Sequence, residues 1–402
     1  MRSKIKINAV IAALLLTSAA GADSLADAIG ASKIDGNFRS YFNTRDYDVK
    51  TDESALSVGG ALRVNTGSIN GFNLGLGFYA AQDLGTNSSD AAKVNKRLGS
   101  ELEVLGEAYV NYTAGDTSVT VGRQKLNTPF ANSGDAFIIP FSFEGTSIVY
   151  KGISNVILEV DYINSIKNRN SSTFTDVGTW TANRFSAESS DLDSDSTIIL
   201  GGTYTKDALK VQAWYYDFDN MFNSTYLQAN YALSPVGATK PFVAVQYGTQ
   251  GESGDEILGE IKSSLLGIQA GIGFAQSKLT LAYNTVSEEP GTFKSGAFLA
   301  PYSYSTSPLF TNNMLQTFEN VDSGDAVKVT FNHSFAKVKL KASYAEFDFD
   351  TSTDREAIDF DLTYDMSDYS KGLTLRYRIE MVTSDVESVE QINQRFQMQY
   401  RF

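Results

Sequence analysis

Nucleophilic and metal chemistry have few residues to work with in this chain. Its 402 residues include no cysteine and a single histidine, His333. Without cysteine there is no thiol nucleophile, no disulfide framework and no zinc or iron–sulfur site built on sulfur. His333 shares its strand parity with Val327, Val329 and Phe331, so no catalytic triad can be assembled around it. We therefore do not expect an enzyme.

The acidic segment at residues 191–195 has a spacing that superficially matches the start of a calcium-binding loop, with Asp191, Asp193 and Asp195. Such a loop also needs a glutamate at its twelfth position, where this chain has Gly202. We expect a solvated loop there and predict no metal and no cofactor. The formal net charge of −14 argues against a nucleic-acid partner, because binding to a phosphate backbone depends on excess positive charge.

The chemistry that remains belongs to charged side chains. Many of them lie in segments where apolar residues recur at every second position. Windows such as 266–274, 358–364 and 373–381 alternate apolar residues with small or polar ones. This period predicts β-strands. The windows run for about nine to twelve residues, the length of strands that cross a membrane rather than the five or six of a typical globular strand. A soluble β-sandwich is the weaker interpretation.

The connections between these windows alternate in length. Short turns such as 66–71 and 114–116 are followed by longer polar segments such as 83–100 and 287–324. We predict an all-β chain, a transmembrane antiparallel β-barrel of about 18 strands over residues 23–402, with short periplasmic turns and long extracellular loops. A barrel of this size encloses an aqueous channel.

The two ends of the chain carry features of an exported outer-membrane protein. Basic residues precede an apolar stretch at 7–16, and we expect a signal peptide over residues 1–22 with cleavage after Ala22. The last strand alternates up to a terminal Phe402, which resembles the signal that barrel-assembly machinery recognises. The outer membrane, its lipopolysaccharide and small hydrophilic solutes are the expected partners, and larger porins often form homotrimers.

Three stretches carry a resemblance to a known family. Residues 122–129 (GRQKLNTP), 135–140 (DAFIIP) and 143–145 (FEG) resemble the strand and third loop of the OprD-like outer-membrane porins. The resemblance implies an eighteen-stranded barrel with the third loop, here 127–142, folded into the lumen as a constriction. It implies passive diffusion of small solutes, with amino acids or small carboxylates as candidates. The implied constriction residues are Arg123, Lys125, Asp135, Phe137 and Glu144.

One residue of the constriction departs from that family. Relatives with a narrow eyelet often have an arginine two positions after the aspartate, where this chain has Phe137. The departure favours a general porin. Arg123 and Lys125 share parity with the outward Val119 and Val121, so they lie either at the extracellular rim or beyond a bulge that shifts the register.

Strand parity places most wall charges in the lumen, because a charge in lipid costs a few kcal/mol at mid-membrane. We hypothesise a basic ladder on one wall facing acidic residues opposite, with a transverse field that orients zwitterions. The alternative is that these charges only solvate a wet wall. The predicted ladder is Arg39, Arg63, Lys328, Lys339, Lys341, Arg376, Arg378 and Arg395. The predicted lumenal acids are Glu103, Glu107, Glu159, Asp161, Asp359 and Asp361, with Asp35 and Glu380 on the same parity.

Two other functional classes stay open. A surface-exposed binding barrel or adhesin would act through its extracellular loops, and the segment 287–324 is long and aromatic enough to bind a partner. The same aromatic residues would equally serve as an interfacial girdle or pack over the pore. A secreted β-rich surface-layer protein would share the acidity and the absence of cysteine.

Overall fold

A computed structural model describes residues 24–134, 136–186, 192–303 and 306–402. The expected signal peptide at 1–22, Asp135 and Asp191 lie outside the described residues. The helices are α1 (Leu25–Gly30) and α2 (Val177–Phe185), with 3₁₀ turns at Ala91–Lys93, Phe293–Gly296 and Glu387–Val389. None of the helices in the described residues is long and apolar enough to span a bilayer.

Strands make up most of the chain. They are β1 (Lys33–Tyr47), β2 (Glu53–Asn65), β3 (Phe72–Gln82), β4 (Leu102–Ala114), β5 (Thr117–Gln124), β6 (Ser142–Tyr150), β7 (Val156–Lys167), β8 (Phe174–Asp176), β9 (Thr197–Lys206), β10 (Leu209–Phe218), β11 (Phe222–Ala232), β12 (Thr239–Glu252), β13 (Ser263–Phe274), β14 (Ser277–Val286), β15 (Gly324–Phe335), β16 (Val338–Phe349), β17 (Arg355–Asp365), β18 (Leu373–Thr383) and β19 (Gln391–Arg401).

The sheet closes on itself, which confirms the predicted barrel. Consecutive strands pair antiparallel, and β1 pairs with both β2 and β19. Strand β8 is a short addition on β7, which also pairs with β9, so eighteen strands form the wall. Closure satisfies the backbone N–H and C=O groups at both edges, as a lipid environment requires.

The two faces of the wall differ in the way that the two-residue period predicts. In β13, Leu266, Ile268 and Ile272 are exposed on the outer face, whereas Gly267 and Gln269 point inward. The inner face buries polar side chains under segments that fold into the barrel. The apolar rows therefore face the lipid, and the polar rows face the lumen.

A β-bulge reverses the parity within β4. Glu107 pairs with Gly77, but Leu105 pairs with Phe78, so Gly106 is an extra residue. A Cβ at Gly106 would lie 2.2 Å from the Tyr79 ring, so this position needs glycine. The bulge puts Glu107 on the inner face and Glu103 on the outer face at the far end of the strand. The prediction that Glu103 faces the lumen is wrong for this reason.

The two ends of the barrel have connections of different length. Turns such as 115–116 and 275–276 join strands at one end, which we call the short-turn end. Segments 83–101, 125–141 and 287–323 connect strands at the other, the long-loop end. Segments 125–141 and 287–323 fold into the lumen. The ring centroids of Phe130 in the former and Phe298 in the latter are 5.5 Å apart. The inward segments therefore fill part of the lumen.

The adjacent residues Ile268 and Gln269 test which face contacts lipid. We expect Ile268→Lys to destabilise the barrel by about 2–4 kcal/mol, because it places an ammonium in the lipid near mid-strand. We expect Gln269→Lys to cost less than about 0.5 kcal/mol, because its side chain points into the lumen. Urea unfolding in phospholipid vesicles measures both free energies. Equal losses for the two variants would contradict the assignment of faces.

Candidate functional site

A cavity of about 560 Å³ lies where three inward segments meet the inner wall. The segment 125–141 contributes Phe137, the connection after β7 contributes Asn168 and Arg169, and the segment 287–323 contributes several residues around Asn312. Strands β16, β18 and β19 close the remaining side. The cavity therefore lies inside the barrel, between the inward segments and the wall.

Six cationic side chains line this cavity. Three come from the connections at the long-loop end and three from the wall: Arg97, Arg169, Arg184, Lys341, Arg378 and Arg395. No aspartate or glutamate is among its lining residues in the part of the chain that the structure describes. The site therefore presents a surplus of positive charge to any solute that enters.

The surroundings of the loop residue Arg97 disfavour its positive charge. Burial, together with the charges of Arg45, Arg395 and Arg169, lowers the pKa of Arg97 to about 9. A guanidinium still keeps its proton near pH 7. Burial is the largest cause of the shift, and the charges of the neighbouring arginines add to it.

Phe137 organises the cavity through its ring and its backbone. The Arg169 guanidinium lies 4.3 Å from the Phe137 ring centroid and 4.9 Å from that of Phe141, which holds its plane by cation–π contact. The Phe137 carbonyl accepts a hydrogen bond from Arg39. Phe137 stands where relatives with a narrow eyelet often have an arginine, and it positions the cations Arg169 and Arg39 instead of contributing a charge itself.

Two members of the predicted basic ladder hold inward segments. Arg39 is 4% exposed, and besides the Phe137 carbonyl it donates to Gln399 at 2.9 Å. Lys328 donates to the carbonyl of Asn312. Both side chains lie on the inner face, but they bind the protein's own backbone.

Other members of the ladder are paired with acids on the same wall. Arg63 Nε donates to Asp35 at 2.8 Å. Arg376 Nε donates to Asp361 at 2.8 Å, and Arg378 Nε lies 3.1 Å from the same carboxylate. Lys339 is exposed near the short-turn end of that wall.

The acids of β17 and β18 therefore sit beside the cations, not across from them. Asp359 and Asp361 lie on the inner face of β17, and Glu380 pairs with Asp359 from β18. The hypothesis of an acidic wall facing a basic one is wrong for these residues. Glu159 and Asp161 do lie on another part of the wall, on the inner face of β7.

Besides Phe137, the predicted constriction residues that the structure describes occupy two positions. Arg123 Nε donates to Glu144 at 2.9 Å. This pair sits on the outer face at the long-loop ends of β5 and β6, so neither residue belongs to the inward segment. Lys125 follows β5, and its Nζ lies 4.0 Å from the inward carboxylate of Glu107. Tyr79 donates to the same carboxylate at 2.5 Å.

The sequence gives no periodic signal for half of the cavity cations. Arg97, Arg169 and Arg184 lie outside the strands, where parity does not predict which way a side chain points. The only local signal is that each basic residue lies in a long connection beside polar residues. His333 lies on the outer side of β15, 2.8 Å from Ser277 Oγ and stacked between Phe331 and Phe335.

The role of Arg39 can be tested by neutralisation. We expect Arg39→Gln to raise single-channel conductance, because the segment 125–141 loses a charged tether at Phe137. Arg63→Gln removes a similar inward charge that pairs with Asp35 and is expected to leave the open-state level nearly unchanged. Planar-bilayer recordings compare them, and an equal change in both variants would contradict a tethering role.

Comparison with known proteins gives a family match and similar solved structures. Residues 29–350 match the family described as outer membrane porin, OprD family. No curated protein matches the chain. Among solved structures, OccAB3 of Acinetobacter baumannii has a TM-score of 0.80 at 18% identity, covering 93% of this chain and 100% of that one.

Two further solved structures come from Pseudomonas aeruginosa and contain ligands. OccK2 (OpdF) in complex with glucuronate has a TM-score of 0.78 at 14% identity, covering 93% of this chain and 98% of that one. OpdK with vanillate has a TM-score of 0.76 at 15% identity, covering 93% and 99%. The family match covers most of the chain, and the structural matches share its barrel: the chain belongs to the OprD family of outer-membrane porins.

Proposed function

We propose that this porin of the bacterial outer membrane favours small solutes that carry a carboxylate. Membership of the family makes the chain a channel for passive diffusion of small hydrophilic solutes. The observation that carries the carboxylate preference is the cavity lined by six cationic side chains. Asp and Glu are absent from its lining in the described residues.

Arginine chemistry favours a carboxylate over a simple anion. A guanidinium presents two parallel N–H donors that match the two oxygens of a carboxylate. Five of the six cations are arginines. A cavity of about 560 Å³ lies within the range of sites that hold small molecules. The size and charge together support a solute of a few to about a dozen heavy atoms.

The ligands in two of the similar solved structures agree with this chemistry. The OccK2 structure contains glucuronate and the OpdK structure contains vanillate, and both ligands are carboxylates. Their identity to this chain is 14–15%, so they support the class of solute and not its identity.

The alternative of a surface binder has less support. It depended on the aromatic segment 287–324, where Phe298, Tyr302 and Phe318 are buried inside the barrel. Buried rings are not available to an external partner. Their placement supports packing over the pore, the other role that the sequence allowed.

We also propose the export and assembly steps that the sequence predicts. These are removal of residues 1–22, recognition of β19 by the barrel-assembly machinery, and contact with lipopolysaccharide. The outward row Phe396, Met398, Tyr400 and Phe402 at the end of the chain supports the second step. A homotrimer stays a prediction.

Neutralising cavity arginines tests the proposed preference. In water, a unit charge about 8 Å from a passing ion is worth about 0.5 kcal/mol. Removing two such charges shifts the energies of an anion and of a cation by about 1 kcal/mol each in opposite directions, so we expect Arg378→Gln with Arg395→Gln to lower the anion-to-cation permeability ratio about thirtyfold. Reversal potentials across a KCl gradient measure this ratio.

The matched control is Arg123→Gln, which removes an arginine from the outer face, where it pairs with Glu144. We expect this variant to keep the wild-type reversal potential. An unchanged ratio in the double variant would overturn the assignment of the cavity as an anion site.

A further inference from the structure

An inward segment crosses seven of the eighteen wall strands, from β12 to β18, in a regular way. We call residues 306–318 the inner belt. From its N-terminal to its C-terminal end, successive polar groups of the belt bind residues on wall strands β12, β14, β15, β16, β17 and β18. The wall partners are Gln246 on Pro308 O, Asn284 on Thr311, Lys328 on Asn312 O, Ser343 on Asn313, Asp359 on Met314 N and Glu380 on Leu315 N.

The belt forms one side of the cavity. Seven of its residues line the cavity: Ser307, Leu309, Asn312, Asn313, Met314, Leu315 and Thr317. Because the opposite side belongs to other segments, a displacement of the belt from the wall would change the size of the passage. The anchors of the belt therefore bear on which solutes fit.

The strongest anchors are two carboxylates. Met314 N donates to Asp359 at 2.9 Å, and Leu315 N and Gln316 N donate to Glu380 Oε1 at 3.0 and 3.3 Å. Three consecutive backbone N–H groups thus point at a pair of acids, an arrangement that forms an anion-binding concavity. Hydrogen bonds to an ionised acceptor are stronger than those between neutral groups.

The position of this acid pair is costly without the belt. Asp359 and Glu380 are direct cross-strand partners on the inner face, and like charges placed opposite each other destabilise a sheet. Glu380 is 0% and Asp359 4% exposed. Neither belongs to the lining of the cavity, so a solute in the cavity meets the belt and not these carboxylates.

We propose that Asp359 and Glu380 form a latch that positions the inner belt and thereby sets the size limit of the channel. The latch acts through the belt, and both residues are positioning residues. This inference rests on the chain being a channel, but not on its preference for carboxylates. Lys328 on Asn312 and Arg355 on Gln316 support the belt on either side of the latch.

Replacement of the Glu380 carboxyl group by an amide is the direct test. We expect Glu380→Gln to increase the fraction of time spent in higher-conductance states about tenfold in single-channel recordings, the factor that equals about 1.4 kcal/mol. We expect larger neutral sugars to enter proteoliposomes faster. The anion-to-cation ratio is expected to stay close to wild type, which separates the latch from the cavity arginines.

The matched control is Asp361→Asn. Asp361 lies two residues from Asp359 on the same face, and it binds Arg376 and Arg378 instead of the belt. Its replacement removes a wall carboxylate that does not contact the belt. Because it frees Arg378, we expect it to raise the anion-to-cation ratio but to leave the fraction of time in higher-conductance states at the wild-type value. An effect of equal size in both variants would show a general loss of wall charge and overturn the latch.

Rescue by a covalent tether distinguishes positioning from charge. The chain has no native cysteine, and Ser343 Oγ donates to Asn313 Oδ1 at 3.1 Å. In an Asn313→Cys, Ser343→Cys background, oxidation should return Glu380→Gln to a single conductance level, and reduction should release it. Failure of the oxidised form to restore that level would contradict a positioning role.

A second variant serves if Glu380→Gln does not fold. If Glu380→Gln gives no heat-modifiable folded barrel, Asp359→Asn replaces the carboxylate in one of the three contacts by an amide and is expected to show the same change at smaller size. A folded Asp359→Asn channel with wild-type conductance states and sugar permeation would overturn the latch. So would a Glu380→Gln channel in which only the reversal potential moves.

Discussion

The exclusion of charge from lipid is the constraint on which the rest of this structure depends. A closed sheet satisfies its backbone internally, and its outward rows are apolar. Every ionisable side chain near the middle of a strand is then forced into the lumen. A lumen with many charges is stable only if those charges find partners, so their pairing decides how the interior is built.

The inward charges meet this requirement in three ways. Some pair across neighbouring strands, as Arg376 does with Asp361. Others hold inward backbone, as Arg39 does at Phe137 and Glu380 does at Leu315. Arg169 lies over the Phe137 and Phe141 rings in a cavity that five further cations also line, among them the paired Arg378. The basic ladder expected from the sequence is therefore divided between paired wall residues and a cavity where positive charge is concentrated.

Much of the wall could be predicted from residue alternation, because the inward or outward direction of a strand residue is a local property. The prediction fails at Glu103, where a single extra residue, Gly106, reverses the parity. The inward direction of Arg97, Arg169 and Arg184 could not be predicted, because these residues lie in connections whose path depends on distant contacts. The inner belt was missed for the same reason: its anchors come from six strands that the sequence does not show to be adjacent to it.

Flux of two solutes of nearly equal size tests the central claim most directly. Glucose and glucuronate differ by one carboxylate, and radiolabelled uptake into proteoliposomes that contain the wild-type chain measures each rate. A water-filled lumen with a cationic constriction predicts measurable uptake of both and faster uptake of glucuronate. Uptake of neither solute, or faster uptake of glucose, would contradict the account.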